Sequence, residues 1–224
     1  MESVLEVREV TKVYEQGPVR VRAVDSVSLS LQRGQTVLIM GPSGSGKTTL
    51  LSIMGCILRP TSGEVVVDGR VVSGLGEDLL PEIRRAYFGF VFQSFNLFPS
   101  LTAAENVEVA LRLKRFDRRR IPEEALALLD GVGLANRASF YPRDLSGGEK
   151  QRVAFARALA GNPKVILADE PTANLDSATG QRVLALLREL AENSGKAVVV
   201  VSHDPKSQAL VHRIIMLEDG RIKA

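Results

Sequence analysis

The sequence predicts an α/β fold: a mainly parallel core sheet, an antiparallel β layer at the N-terminus, and a helical lobe let into the middle of the chain. Three observations predict it. The stretches TVLIM (36–40), KVILAD (164–169) and AVVVVS (197–202) are short apolar runs, the pattern of strands buried on both faces. The last two are separated by a helical stretch, SATGQRVLALLRELAEN (177–193), and strands alternating with helices indicate a parallel sheet. Between about 102 and 160 the pattern is helical throughout, which predicts a second lobe inserted between two strand–helix halves.

Taken in order, VLEVREVTKVY (4–14) and VRAVDSVSLSL (21–31) alternate apolar and polar residues and read as half-buried strands. The apolar strand at 36–40 runs into a glycine-rich loop and a helix at about 46–57. GEVVVDGRVV (63–72) reads as a hairpin turning at Asp68-Gly69, and FGFVF (88–92) as a further strand. Helices follow in TAAENVEVALRLKR (102–115), PEEALALLDGVG (122–133) and GGEKQRVAFARALAG (147–161). The chain is expected to be one domain, 1–224, with its core in about 1–93 and 157–224 and its helical lobe in about 94–156.

Composition narrows the class. The chain has 224 residues, 45% hydrophobic and 25% charged, enough for a substantial core. A net charge of +3, from 29 basic and 26 acidic residues, permits contact with anionic surfaces without demanding it. The basic run KRFDRRR (114–120) reads as a solvated helix end and loop. Cys56 is the only cysteine, which excludes an intrachain disulfide and a cysteine metal cluster; it reads as a small core residue. The start MESVLEVREV has no basic stretch followed by an apolar run, so no secretory leader is expected. The longest apolar run, in KAVVVVS (196–202), is far short of a membrane span. The expectation is a cytosolic chain that something else holds at any membrane it serves.

The chemistry lies in a few short stretches. GPSGSGKTT, comprising Gly41, Pro42, Ser43, Gly44, Ser45, Gly46, Lys47, Thr48 and Thr49, fits a phosphate-binding loop between an apolar strand and a helix. Its glycines let backbone N–H groups turn inward to phosphate oxygens. Lys47 adds a cation at the outer phosphates, and the Thr48 hydroxyl suits Mg²⁺. The motif specifies a nucleoside triphosphate but not which one. VILADE (165–170) ends an apolar strand on two carboxylates: Asp169 for the Mg²⁺ shell and Glu170 to orient or deprotonate an attacking water, or simply two solvated acids at a strand end. His203 follows the strand in VVVVSHD, at the strand end where ligands bind in parallel sheets, a position suited to the γ-phosphate. Gln93 ends FGFVFQ and either reaches Mg²⁺ or the water, or caps the strand. Tyr14 either stacks on an adenine ring or packs in the β layer. LSGGEKQR (145–152) places Ser146, Gly147 and Gly148 before a helix, the construction of a second anion site.

In this order, these stretches resemble the ATP-binding cassette ATPases, the motor subunits of ABC transporters, over essentially the whole chain. The resemblance implies ATP and Mg²⁺ as cofactors. It assigns Glu170, His203 and Gln93 to catalysis, and Thr48, Gln93 and Asp169 to the metal. Tyr14 matches the family's adenine-stacking aromatic, and NLD (174–176) its D-loop, with Asp176 in place and Asn174 where many members have Ala. Members pair head to tail and sandwich two ATPs, so Ser146, Gly147 and Gly148 of one protomer would close over the nucleotide held by the other. RRAYFGFVFQSFNLFPSLTAAENV (84–107), PTANLDSATG and HRIIMLEDGRI are closest to the lipoprotein-release, macrolide-export and glycolipid-exporter branch. That branch implies a motor subunit driving export or extraction of a lipid, lipoprotein or amphipathic compound through a separate membrane permease, from the cytoplasmic face of the membrane. It also contains a cell-division ATPase, so a non-transporting regulatory role is the alternative. A nucleic-acid-associated ATPase is the other: relatives of that kind carry a long coiled coil or two cassettes, absent here, so no nucleic-acid partner is expected. Phe95, Leu97 and Phe98, three large apolar residues in an expected loop, either receive a helix of the membrane subunit or pack under the helical lobe.

Overall fold

A computed structural model describes residues 3–223, apart from the side chains at positions 16, 206, 209 and 210. Two long strands, β1 (Ser3–Gln16) and β2 (Val19–Gln32), precede β3 (Thr36–Met40) and α1 (Lys47–Met54). The hairpin β4 (Ser62–Val67) and β5 (Arg70–Val71) turns through Asp68 and Gly69, at φ of 49° and 78°. Two left-handed residues make the tight turn whose twist matches paired strands. Next come α2 (Leu80–Tyr87), β6 (Phe88–Val91), α3 (Ala103–Leu113), α4 (Ile121–Asp130) and α5 (Gly147–Leu159). The chain closes with β7 (Val165–Asp169), α6 (Ser177–Ser194), β8 (Ala197–Val201), β9 (Arg213–Glu218) and β10 (Arg221–Lys223).

Two sheets form. The first is antiparallel, in the order β2-β1-β4-β5; the second has the order β10-β9-β3-β8-β7-β6 and is parallel except for its β10–β9 edge. The period of two in the core strands explains how the layers stack. Val37 and Ile39 of β3, Val165 and Leu167 of β7 and Val199 and Val201 of β8 point to one face, into a cluster with Leu5, Leu31 and Leu50 from the antiparallel layer and α1. Their neighbours Leu38, Ile166 and Val198 point to the other face, against Val107, Leu129, Phe155 and Leu187 from α3 to α6. Strands covered on both faces have no polar side to show, which is why they read as unbroken apolar runs.

Capping boxes fix the starts of two helices. Thr102 and Glu105 form a reciprocal capping box at α3, and Ser146 and Glu149 form another at α5. Three elements depart from the sequence expectations. α2 forms where no helix was expected: it is short and strongly charged, and only Leu80 and Ile83 are buried. β9 and β10 extend the core sheet beyond β3, at the end of a chain whose sequence gave no strand expectation there.

Among the described residues no helix is long and apolar enough to cross a membrane.

Candidate functional site

The parallel register brings four strand ends to one edge. Ile39 pairs with Val201, Val201 with Asp169, and Val91 with Ala168, so β3, β8, β7 and β6 end side by side. The residues just beyond them share one crevice at the carboxyl end of the sheet, where ligands bind in such folds. A cavity of about 740 Å³ opens there, lined by Ala23, Pro42, Ser43, Gly44, Gly46, Lys47, Thr48, Thr49, Gln93, Glu170 and His203.

The loop between β3 and α1 is wedged between neighbouring strands. Gly41 and Gly46 lie at φ of 156° and 97°, and a Cβ on either would sit 1.9 Å from the Leu217 carbonyl oxygen or 2.0 Å from that of Ala23. No other residue fits there without moving the backbone. Lys47, only 8% exposed, folds over the loop and donates to the carbonyls of Gly41 at 2.8 Å and Pro42 at 2.7 Å. Gly41 and Ser45 are the two members of the stretch outside the cavity lining; Ser45 is buried, its hydroxyl without a hydrogen-bond partner.

The carboxylates divide by environment. Asp169 is half-buried and accepts from the Thr48 hydroxyl at 3.2 Å. Burial pushes its pKa above the usual carboxylate range, with the Thr48 bond working against that and the Glu170 charge adding to it. Glu170 lies at a φ of 46°, unusual for a residue with a side chain, and is held there by its N–H bond to the Val201 carbonyl at 2.9 Å. Its Oε1 meets His203 Nδ1 at 2.7 Å. Thr48 and Gln93 line the cavity and Asp169, just outside its lining, meets the Thr48 hydroxyl; oxygen groups of this kind suit a hard cation needing few protein ligands.

The raised Asp169 pKa gives a first expected result. A carboxyl whose folded pKa lies above its unfolded value contributes most to stability when protonated, and that contribution is lost as pH rises through the folded pKa. Asp169→Asn should therefore show a higher urea midpoint than the native chain at neutral pH, with the gap closing in acid. An unchanged or lower midpoint at pH 7 would count against the desolvation account.

A second cavity of about 360 Å³ shares no lining residue with the first. It is lined by Ser146, Gly147, Gly148, Glu149, Arg152, Asn174, Leu175, Asp176, Thr179 and Arg182. Two helix N-termini converge on it. Ser146 caps α5, its hydroxyl oxygen accepting from the Glu149 N–H at 3.2 Å while Glu149 accepts from the Ser146 N–H at 2.8 Å. Asp176 caps α6 by accepting from the Thr179 N–H at 3.0 Å; the Thr179 side chain first, and then this backbone bond, hold its carboxyl below the usual range. The Ser146 O–H and the first N–H groups of α5 remain able to donate, and both helix dipoles favour an anion.

Tyr14 lies on β1, opposite Val21, 39% exposed and outside the lining of the first cavity; the Lys12 ammonium stands 5.4 Å from its ring centre. Phe95, Leu97 and Phe98 separate: Leu97 packs on the helical core cluster, Phe95 is half-buried, and Phe98 is 47% exposed. Phe98 borders an apolar groove of about 270 Å³ with Phe88, Phe90, Phe92, Asn96, Leu113 and Arg157, along the edge strand β6. Sequence reasoning missed Ala23, whose position only the β2 crossing reveals. It also missed the capping role of Ser146, although the S-x-x-E spacing of a capping box was there to be read.

Comparison with known proteins places these features. Residues 24–173 match the ABC transporter family model. The chain is 48% identical over 225 residues to the uncharacterized ABC transporter ATP-binding protein MJ0796 of Methanocaldococcus jannaschii, covering 98% of this chain and 95% of that one. A solved dimer of the MJ0796 cassette bound to ADP and Pi superposes with a TM-score of 0.91, at 46% identity, over 98% of this chain and 97% of the other. The chain is also 44% identical to the lipoprotein-releasing system ATP-binding protein LolD of Bordetella avium, over 99% of this chain and 96% of that one. It is 45% identical to the macrolide export ATP-binding/permease protein MacB of Salmonella typhimurium, over 99% of this chain but only 34% of the relative.

Proposed function

The chain belongs to the ABC transporter family as an ATP-hydrolysing, ATP-binding subunit, and from that premise we propose that it is the motor of an export or extraction system for a lipid, lipoprotein or amphipathic compound. The relatives named for lipoprotein release and macrolide export support this choice of cargo. In this reading the first cavity holds ATP. Lys47 and the loop N–H groups bind the phosphates, Glu170 accepts a proton from the attacking water, and His203 contacts the γ-phosphate while orienting Glu170 through their 2.7 Å bond. Thr48, Asp169 and Gln93 would hold Mg²⁺, which neutralises phosphate charge. The second cavity covers the nucleotide held by a partner protomer, so the full set of donors assembles only when the dimer closes.

One observation carries the coupling to a membrane: the groove beside Phe98. Phe98, 47% exposed beside Phe90 and Phe92 in this groove, supports reading it as an interaction site. It begins five residues or fewer from Gln93, so a permease helix seated in it, at the cytoplasmic face, would press on the segment that reaches the nucleotide. Phe98→Glu should abolish stimulation of ATPase by a co-reconstituted permease while ATP binding and thermal stability stay at native values. A stable variant that is still fully stimulated would place the docking surface elsewhere.

A further inference from the structure

The positive charge of the chain is concentrated in one place. Residues 112–120, RLKRFDRRR, hold six basic residues against one acid, whereas the whole chain carries a net charge of only +3. The rest of the chain is therefore net acidic. The run covers the end of α3 and the connection to α4. Two contacts fix its path. Lys114 turns inward, its Nζ donating to the carbonyls of Arg85 and Phe88 at 2.7 Å each, and the Phe116 N–H donates to the Leu111 carbonyl at 3.0 Å. Arg112, Arg115, Arg118, Arg119 and Arg120 are left exposed.

Only part of this charge is answered nearby. Arg112 pairs with Glu108 at 3.2 Å and Arg115 with Glu82 at 3.1 Å. The Arg120 guanidinium stands 5.9 Å from the Phe116 ring centre. The Asp117 carboxylate accepts from the Arg119 N–H at 3.0 Å, within the loop itself. Among the described residues the side chains of Arg118 and Arg119 enter no ion pair. Leu113, next to them in the chain, is 69% exposed and also lines the groove beside Phe98. None of residues 115–120 lines that groove or either cavity. Cations spread over open surface, with no hollow to hold one discrete anion, match a diffuse layer of negative charge. An exposed leucine among them suits the apolar boundary beneath such a layer.

We propose that residues 112–120 are a contact site for anionic lipid headgroups, held against the membrane surface next to the groove that receives the permease helix. That placement rests on the docking reading above; the affinity for lipid does not. Each Lys or Arg near an anionic bilayer strengthens partition by about fivefold. Permease and lipid together then hold the chain at the membrane, each raising the effective concentration for the other.

The test is cosedimentation of the full chain with vesicles of phosphatidylcholine alone and of equal parts phosphatidylcholine and phosphatidylglycerol, at about 0.1 M salt, where charges are screened over about 10 Å. The native chain should bind the mixed vesicles and not the neutral ones, and about 1 M salt should release it. Arg118→Gln with Arg119→Gln should lower the partition about 20- to 30-fold. Its melting temperature and basal ATPase should stay native, because neither side chain lines the first cavity. Lysine at the same two positions should keep binding near native, since charge rather than a planar fork is required. Arg70→Gln with Arg213→Gln, which removes two exposed arginines elsewhere, should change binding little. Equal binding to both vesicle types, no binding to either, or an equal loss in the Arg70 and Arg213 variant would overturn the proposal. So would tighter binding of a mixed-sequence oligonucleotide than of the mixed vesicles at the same salt, which would make the run a nucleic-acid surface. Loss of permease binding in lipid-free detergent by the Arg118 and Arg119 glutamine variant would make it a protein interface instead. If that double variant does not fold, Arg118→Gln and Arg119→Gln singly, each expected to lose about fivefold, decide in its place. The vesicles contain no permease, so a failure of the docking reading and a failure of this proposal are separate results.

Discussion

Glu170→Gln is expected to lower ATP turnover by about 10²- to 10⁴-fold, the range for loss of a positioned general base, while leaving ATP binding near native. The substitution keeps the shape and the Cβ, so the left-handed backbone at φ 46° and its bond to Val201 survive. An amide can still meet His203, whose Nδ1 lies 2.7 Å from Oε1 in the native chain. What it lacks is a basic oxygen for the proton of the attacking water. Binding without hydrolysis should then trap the closed pair, so the variant should sediment as a dimer at saturating ATP and Mg²⁺ and as a monomer without nucleotide. A variant that stays monomeric there would refute the sandwich reading. In the proposed reading His203→Ala should also leave binding intact and cut hydrolysis, since it would remove the group that meets Glu170 and, on that reading, the reacting phosphate. Phosphate release and sedimentation velocity together check both.

Lys47→Ala is expected to weaken ATP binding by about 10²- to 10³-fold, as when one partner of a desolvated charge pair is truncated. Lys47 is almost wholly buried and is the cation lining the first cavity among the described residues. Its ammonium also bridges the Gly41 and Pro42 carbonyls, so the variant loses a brace of the loop together with the charge. The instructive contrast is Ser146→Arg. The second cavity shares no lining residue with the first, so the monomer's ATP affinity should be unchanged while ATP-driven dimerisation is lost. Titration of ATP onto each variant separates the two. Lost affinity in the Ser146→Arg monomer would mean that this stretch serves the nucleotide of its own protomer.

Several local features were read correctly from the chain's own chemistry. Apolar runs at 36–40, 165–168 and 197–201 became buried central strands because no polar position interrupts them. Asp68-Gly69 became the turn of β4 and β5 because both residues tolerate a left-handed backbone. The spacing of Gly41, Gly46 and Lys47 placed the phosphate loop between a strand and a helix. α2 was missed because eight residues with only two buried apolar side chains carry almost no periodic signal. β9 was missed because its strand character depends on a free edge of β3 to pair with.

The sequence by itself determined most of the segments, a glycine loop suited to a nucleotide, and the separation in the chain of two stretches built like anion sites. Each follows from preferences acting over a few neighbouring residues: side-chain period, backbone freedom at glycine, and the matching of cations and N–H groups to phosphate. Only the tertiary structure decided which of those segments meet. Glu170 finds His203 because β7 and β8 are adjacent in register, and Asn174 reaches Gln93 across 81 positions because β6 lies beyond β7. It also decided that Leu97 packs, partly buried, against the helical core while Phe98 borders an open groove, a distinction invisible in the shared motif. The physical reason is that strand order and the faces left uncovered come from all segments competing at once for the same buried surface, and no single stretch encodes the outcome of that competition.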